Sequence, residues 1–282
     1  MSGTAEAGMN MIANQDIPLE AAPAARRSGP PLLRVENLSR EFGGLLAIGD
    51  LSFTVAAGDI HSIIGPNGAG KTTLFNLITG VYKPSGGRVL FDGAEVSGQA
   101  PYRLAARGMS RTFQNLQIFF NMTALENVMV GRHLHLNTRL LPALFRFPSL
   151  VRKDAEARER AAALMEQVGL GKYVAADAAA MPYGALKRLE IARALAAEPK
   201  MLLLDEPAAG LNATESREID EVIKTVAATG ITVILVEHDM KMVMGISDRI
   251  TALNHGRKLA EGTPAEVAAN PDVIAAYLGA AP

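Results

Sequence analysis

Residues Gly65-Pro66-Asn67-Gly68-Ala69-Gly70-Lys71-Thr72 satisfy the pattern G-x-x-x-x-G-K-[ST], directly after the apolar run Ile60 to Ile64 and before a stretch of helical character. The glycines let successive backbone N–H groups close around phosphate oxygens, and the start of the following helix adds partial positive charge. The Lys71 ammonium is long enough to reach terminal phosphates, the Thr72 hydroxyl is suited to Mg²⁺, and the expected phosphate-binding run extends to Thr73. A second chemical group stands far downstream. Met201-Leu-Leu-Leu-Asp205-Glu206 reads as a buried strand that delivers two adjacent carboxylates at its C-terminal end, where open parallel sheets place ligands. In phosphoryl transfer one carboxylate organises the metal and another group orients or deprotonates the attacking water, which divides the roles between Asp205 and Glu206. His238, just past the run Ile231 to Val236, stands at a third strand end, where an imidazole could contact a γ-phosphate or fix the water.

The elements that must position these groups are legible in outline. Short β-prone runs, Leu32 to Val35, Leu51 to Val55, Ile60 to Ile64 and Arg88 to Phe91, are separated by Gly, Asp and Asn turns. A helix is expected over Lys71 to Ile78, ended by Gly80 and the Lys83-Pro84-Ser85-Gly86-Gly87 turn. Between Asn115 and Met181 the strand signal nearly vanishes. Thr123-Ala-Leu-Glu126 is a capping box, Lys153 to Val168 has helical spacing, and His133 to Pro148 is an apolar segment whose structure pattern alone does not fix. Helix and strand then alternate: a helix from about Ala185 to Ala197, a strand Met201 to Leu204, a helix Thr214 to Ala228, a strand Ile231 to Val236 and a helix Met240 to Met244. Such alternation implies a largely parallel sheet with crossover helices. Thr263-Pro-Ala-Glu266 and Asn270-Pro271 each signal a further helix start.

Composition narrows the function. At 282 residues with 49% hydrophobic content the chain can bury a large core. Its 28 Lys and Arg against 29 Asp and Glu leave no basic field for nucleic acid, so no nucleic-acid partner is expected. The absence of Cys excludes disulfides, thiolate metal sites and Cys nucleophiles. The longest apolar stretches fall far short of the ~20 residues needed to span a bilayer. Arg26 and Arg27 lack a following apolar region of the kind a secretory signal needs, and residues 1–31 are expected to form a flexible tail.

Taken in order, these pieces resemble the nucleotide-binding domain of ABC transporters from Leu32 to Gly279. The resemblance implies an α/β P-loop NTPase fold, with a RecA-like parallel sheet, an antiparallel β subdomain and an inserted helical subdomain over about 115–198, within an ATPase domain over 32–280 ending in C-terminal helices over about 263–279. Gln114, in Arg111-Thr-Phe-Gln114-Asn, resembles the glutamine that joins the Mg²⁺ and water shell and senses the permease. Ala209-Gly210-Leu211-Asn212 sits at the D-loop, His238 matches the switch histidine, and Phe42 stands where the family stacks an aromatic ring on adenine, although this Phe could equally pack on the sheet. The family's signature Leu-Ser-Gly-Gly-Gln is replaced by Met181-Pro182-Tyr183-Gly184-Ala185, which lacks the serine hydroxyl and the glutamine. Tyr183 and Gly184 are still expected at a partner's γ-phosphate, through backbone donors at the following helix start.

Several phrases resemble ATPase subunits of branched-chain amino-acid uptake systems: Phe42-Gly-Gly-Leu-Leu46, Arg188-Leu-Glu-Ile-Ala-Arg193, Pro207-Ala-Ala-Gly-Leu-Asn212, Glu237-His-Asp-Met-Lys241 and Asn270-Pro-Asp-Val-Ile-Ala-Ala-Tyr-Leu278. That likeness implies ATP and Mg²⁺ as ligands and a second cassette, identical or paralogous, as partner. It also implies integral-membrane permease subunits, a solute-binding protein reached indirectly, and a peripheral place on the cytoplasmic face of the inner membrane. Two rivals stand beside it: a soluble ABC ATPase acting on ribosomes or DNA, and a cassette that binds ATP without turning it over.

Overall fold

Three five-residue strands, Ile60–Ile64, Met201–Asp205 and Thr232–Val236, are buried along their whole length, as near-continuous apolar runs are in a parallel sheet covered on both faces. In the computed structural model, which describes residues 30–133 and 148–278, they form the centre of a six-stranded sheet. The strands are β1 (Leu33–Phe42), β2 (Leu45–Val55), β3 (Ile60–Ile64), β4 (Gly86–Phe91), β5 (Ala94–Glu95), β6 (Met109–Arg111), β7 (Met201–Asp205), β8 (Thr232–Val236), β9 (Arg249–Asn254) and β10 (Arg257–Gly262). The large sheet has the order β10-β9-β3-β8-β7-β6, all parallel except the β10 edge, and the second sheet is antiparallel in the order β2-β1-β4-β5. The exposed start of β10 carries Arg257 and Lys258, charges that discourage pairing with another chain.

The described helices are α1 (Lys71–Ile78), α2 (Pro101–Ala106), α3 (Ala124–Gly131), α4 (Pro148–Gln167), α5 (Tyr183–Leu195), α6 (Ala213–Ala228), α7 (Met240–Ile246), α8 (Pro264–Ala268) and α9 (Pro271–Leu278). Alternate residues of each central strand feed opposite sides. Ile60, Leu202, Leu204, Val233 and Leu235 pack with α3, α5 and α6, while Ile63, Met201, Leu203, Ile234 and Val236 pack with α1 and the antiparallel sheet. The capping boxes read at Thr123 and Thr263 are present with both reciprocal hydrogen bonds, and Asn270 Oδ1 accepts the Asp272 and Val273 amides at the start of α9.

β1 and β2 run longer than the alternation suggests, because Asn37 and Asp50 take left-handed backbone angles and bridge each other, Nδ2 donating to Oδ1 at 2.7 Å. The register shifts around them, and a bulge of this kind resets the two-residue period. β9, β10, β6 and α2 are further elements that the sequence pattern did not signal. Most of the apolar segment His133 to Pro148 and nearly all of the expected N-terminal tail lie outside the described residues.

Candidate active site

β3 and β8 are neighbours in the sheet although their paired residues lie 173 positions apart in sequence, and their register places Ile63 beside Val236, which in turn faces Asp205 on β7. The loops leaving these three strands therefore open side by side at one end of the sheet, where parallel sheets bind ligands. The loop after β3 is shaped by its glycines. Gly65 (φ +156°) passes so close to the Leu253 carbonyl that a Cβ would lie 2.4 Å from it, and at Gly70 (φ +100°) a Cβ would lie 2.9 Å from the Ala47 carbonyl. Pro66, Asn67 and Gly68 are partly or fully exposed, and Ala69 is buried, with its carbonyl accepting the Gly256 amide.

Gly70 is the N-cap of α1 and supplies no side-chain cap, and the first turn holds no acidic residue. The amides of Lys71, Thr72 and Thr73 thus start a helix whose first donors lack a side-chain acceptor, which fits a bound phosphate. The Lys71 ammonium donates to the Gly65 carbonyl (2.7 Å) and the Pro66 carbonyl (3.1 Å). Burial pushes its pKa down, and the Glu206 and Asp205 carboxylates oppose that shift.

Beyond β7, Glu206 sits at φ +49°, a left-handed conformation that costs a non-glycine residue about 1–3 kcal/mol. Its amide donates to the Val236 carbonyl at 2.9 Å, so the strained turn is tied to the neighbouring strand end. Gln114 Nε2 donates to Glu206 Oε2 at 3.1 Å, and His238 Nδ1 lies 4.0 Å from the same oxygen. Asp205, 5% exposed, pairs through Oδ2 with Arg111 Nη2 at 2.8 Å. The donors nearest a metal here would be the Thr72 hydroxyl, the Asp205 carboxylate and the Gln114 amide oxygen, whose Nε2 is already committed to Glu206. An all-oxygen set suits Mg²⁺.

The remaining expected residues lie elsewhere. Phe42, at the end of β1, packs its ring edge-on to Tyr82 (5.2 Å between centroids) under the Arg40 guanidinium at 4.4 Å. It is 37% exposed. Tyr183 and Gly184 open α5 and face a different loop: the Tyr183 hydroxyl donates to the Ala209 carbonyl at 3.5 Å, and Gly184 packs against the Glu215 side chain. Among the described contacts neither touches the phosphate loop.

Three residues at the site were not assigned from sequence. Glu237 is 1% exposed and accepts the Ala208 amide at 2.9 Å and the His238 amide at 3.1 Å, fixing the turn after Glu206 to the histidine; burial pushes its pKa up. Its signal was a carboxylate directly after the apolar run of β8. Arg111 is the second. Tyr277, in the last turn of α9, is the third, its hydroxyl against the Gly65 amide and its pKa pushed up to about 12 by burial.

The family model described as ABC transporter matches residues 48–209. The chain belongs to the ABC transporter family. As an ABC cassette it is an ATPase, with a nucleotide-binding fold of the P-loop class. A second model, described as branched-chain amino acid ATP-binding cassette transporter, matches residues 257–282 of the cassette. The cassette is 48% identical over 252 residues, 89% of this chain and 99% of the relative, to the high-affinity branched-chain amino acid transport ATP-binding protein BraF of Pseudomonas aeruginosa. A crystal structure of the ADP conformation of an ATP-binding cassette of an ABC transporter superposes with TM-score 0.78 at 34% identity, over 89% of this chain and all of that one. The dimeric structure of a bacterial ABC transporter cassette superposes with TM-score 0.68 at 25% identity, over 82% and 98%.

Proposed function

We propose that the cassette hydrolyses MgATP to power uptake of branched-chain or related hydrophobic amino acids through separate permease subunits, from a peripheral position on the cytoplasmic face of the membrane. The observation that carries the hydrolytic reading is the cluster in which Gln114 donates to the Glu206 carboxylate, His238 lies 4.0 Å from it and 3.7 Å from Glu237, and Lys71 stands close enough to feel its charge. The backbone amides of Asn67, Gly68 and Gly70 to Thr73, with the Lys71 ammonium, hold the phosphates; Pro66 has no N–H to give and the Ala69 amide is taken by the Pro66 carbonyl. Thr72, Asp205 and Gln114 hold Mg²⁺, which supplies charge neutralisation at the phosphate oxygens when bound. Glu206 takes the proton of the attacking water, Gln114 keeps its carboxylate aimed, and His238 meets the γ-phosphate.

The named relative BraF and the C-terminal family segment support the amino-acid cargo. Among the described residues no helix is long and apolar enough to cross a membrane, which agrees with a separate permease. The dimeric relative supports a second cassette. In such a pair the Tyr183 and Gly184 of one copy would lie across the phosphate loop of the other, and a solute-binding protein would deliver cargo to the permease.

The test is ATP turnover and leucine uptake by the cassette reconstituted with its co-purifying permease subunits, with wild-type protein and Glu206→Gln. The variant should keep ATP binding and lose turnover about 10²-fold or more, with uptake falling in parallel. Wild-type turnover in the variant would remove Glu206 from the base role, and turnover without leucine uptake would remove the cargo.

A further inference from the structure

Arg111 brings a full charge into a place where packing alone does not require one. Its side chain is 8% exposed, and the Asp205 side chain it pairs with is 6% exposed. Its Nη1 donates to Asn76 Oδ1 at 2.6 Å and to Thr79 Oγ1 at 3.1 Å, while Nη2 donates to Asp205 Oδ2 at 2.8 Å. The Phe75 and Phe113 rings lie 5.4 and 5.0 Å from its guanidinium carbon. A buried ion pair is on balance no more stabilising than apolar groups of the same volume, so stability does not explain the pair. Its location does.

Asn76 and Thr79 belong to or directly follow α1, the helix that begins at the phosphate loop. The guanidinium therefore joins that helix to the strand end that carries the metal-binding carboxylate. It engages one oxygen of Asp205 and leaves Oδ1 unclaimed by it. A planar fork with contacts on two sides fixes the orientation of a carboxylate far better than a point charge would. Arg111 and Gln114 lie three residues apart on one segment and reach the consecutive carboxylates Asp205 and Glu206, so a single stretch of chain sets both.

We propose that Arg111 is a positioning residue for the metal: it holds the Asp205 carboxylate in the orientation from which it joins the Mg²⁺ of the bound nucleotide, and it ties that orientation to α1. The proposal rests on the nucleotide reading above. It predicts a defect in metal dependence, where a merely structural role predicts only a loss of stability. The measurement is binding of a fluorescent ATP analogue by the full chain, titrated with Mg²⁺ and repeated in EDTA, for wild type, Arg111→Gln, Arg111→Lys and Asn76→Ala.

Arg111→Gln should raise the Mg²⁺ concentration for half-maximal binding about 10-fold or more, as loss of a partner behind a metal ligand does, with affinity in EDTA unchanged. Arg111→Lys keeps the charge without the fork and should recover only part of that loss. Asn76→Ala leaves the ion pair intact, removes one acceptor that aims the guanidinium, and should shift the Mg²⁺ requirement in the same direction by less; it decides the matter if Arg111→Gln does not fold. An unchanged Mg²⁺ requirement in Asn76→Ala and in every folded Arg111 variant would overturn the positioning role while leaving the ATPase intact. Absence of any nucleotide binding by the wild type would overturn the ATPase reading, and this proposal with it.

Discussion

His61 shows how a single residue on the strand that feeds the phosphate loop sets a pH limit on the fold. It is 0% exposed, its Nε2 lies 2.8 Å from the Thr251 hydroxyl, and its Nδ1 has no hydrogen-bond partner. Burial, helped by the nearby charges of Arg249 and Lys258, holds its pKa down at about 3 against an ordinary 6.5. The folded chain thus declines a proton that the unfolded chain accepts, so the stability tied to this group is complete above the unfolded pKa and is lost as pH falls toward the folded one. The loss is at most about 1.4 kcal/mol per pH unit for one proton. Urea unfolding at about pH 7, 6 and 5 should show wild type losing stability more steeply than His61→Gln; parallel slopes would mean that the ring takes a proton inside the fold. At this scale the sequence displayed what is local. Lys71, Thr72, Asp205 and Glu206 were legible as candidates because fixed spacing around a strand end is itself the signal, and the strand ends that carry them are neighbours in the sheet. Arg111 was not, since its partners Asn76 and Asp205 lie tens of residues away, and Glu237 showed only its place after the apolar run of β8, its partner Ala208 lying far upstream.

Among the elements, α5 carries the divergent signature, and its start is chemically unusual. Pro182 is the N-cap, with extended backbone angles, and offers the first turn no side-chain acceptor. Serine at an N-cap accepts an amide of the second or third helical residue and stabilises by about 0.5–2 kcal/mol relative to a residue without a cap. A hydroxyl placed here by Pro182→Ser has two uses in competition: capping α5 within its own chain, or meeting a γ-phosphate across a cassette pair. The variant should raise the melting temperature of the isolated cassette, and in a Glu206→Gln background it should tighten ATP-dependent pairing by at most one charge-assisted hydrogen bond, about 1.5–3 kcal/mol. A higher melting temperature without tighter pairing would assign the hydroxyl to the cap and leave the trans contact to backbone donors. Helix starts such as Thr123, Thr263 and Asn270 were readable because such a cap is a four-residue device. The bulged β1–β2 pair and three-residue β6 were not, because a bulge breaks the alternation and three residues are too few to show one.

For the molecule as a whole, the decisive feature is how the segment after β6 is gripped. Lys187 Nζ donates to the Gln114 carbonyl at 3.3 Å, the Glu190 carboxylate accepts the Gln117 amide at 3.4 Å, and Arg193 donates to the Gln117 carbonyl. These three residues stand at successive turns of α5, so the backbone that carries Gln114 moves with that helix while its side chain stays on Glu206. Alongside runs a groove of about 600 Å³, lined in part by Val81, Tyr102, Phe113, Leu116 and Phe119. Phe113 and Phe119 are 46% and 43% exposed, an amount of open aromatic surface that marks contact sites on soluble chains. Under the proposed function, a permease segment seated there would press on the same backbone that carries Gln114 toward Glu206, which would join transport to hydrolysis without any longer path. Binding energy at such a site concentrates in a few aromatic anchors, each worth about 2 kcal/mol or more when truncated. Phe119→Ala should therefore weaken association with permease-containing membranes roughly 10-fold or more and lower permease-stimulated turnover. Ile274→Ala, which removes an equally exposed apolar side chain from α9, should do neither. Crosslinks from the permease that fall on β1, β2 and β4 and never on residues after Gln114 would place the docking surface on the antiparallel sheet and separate the groove from transport.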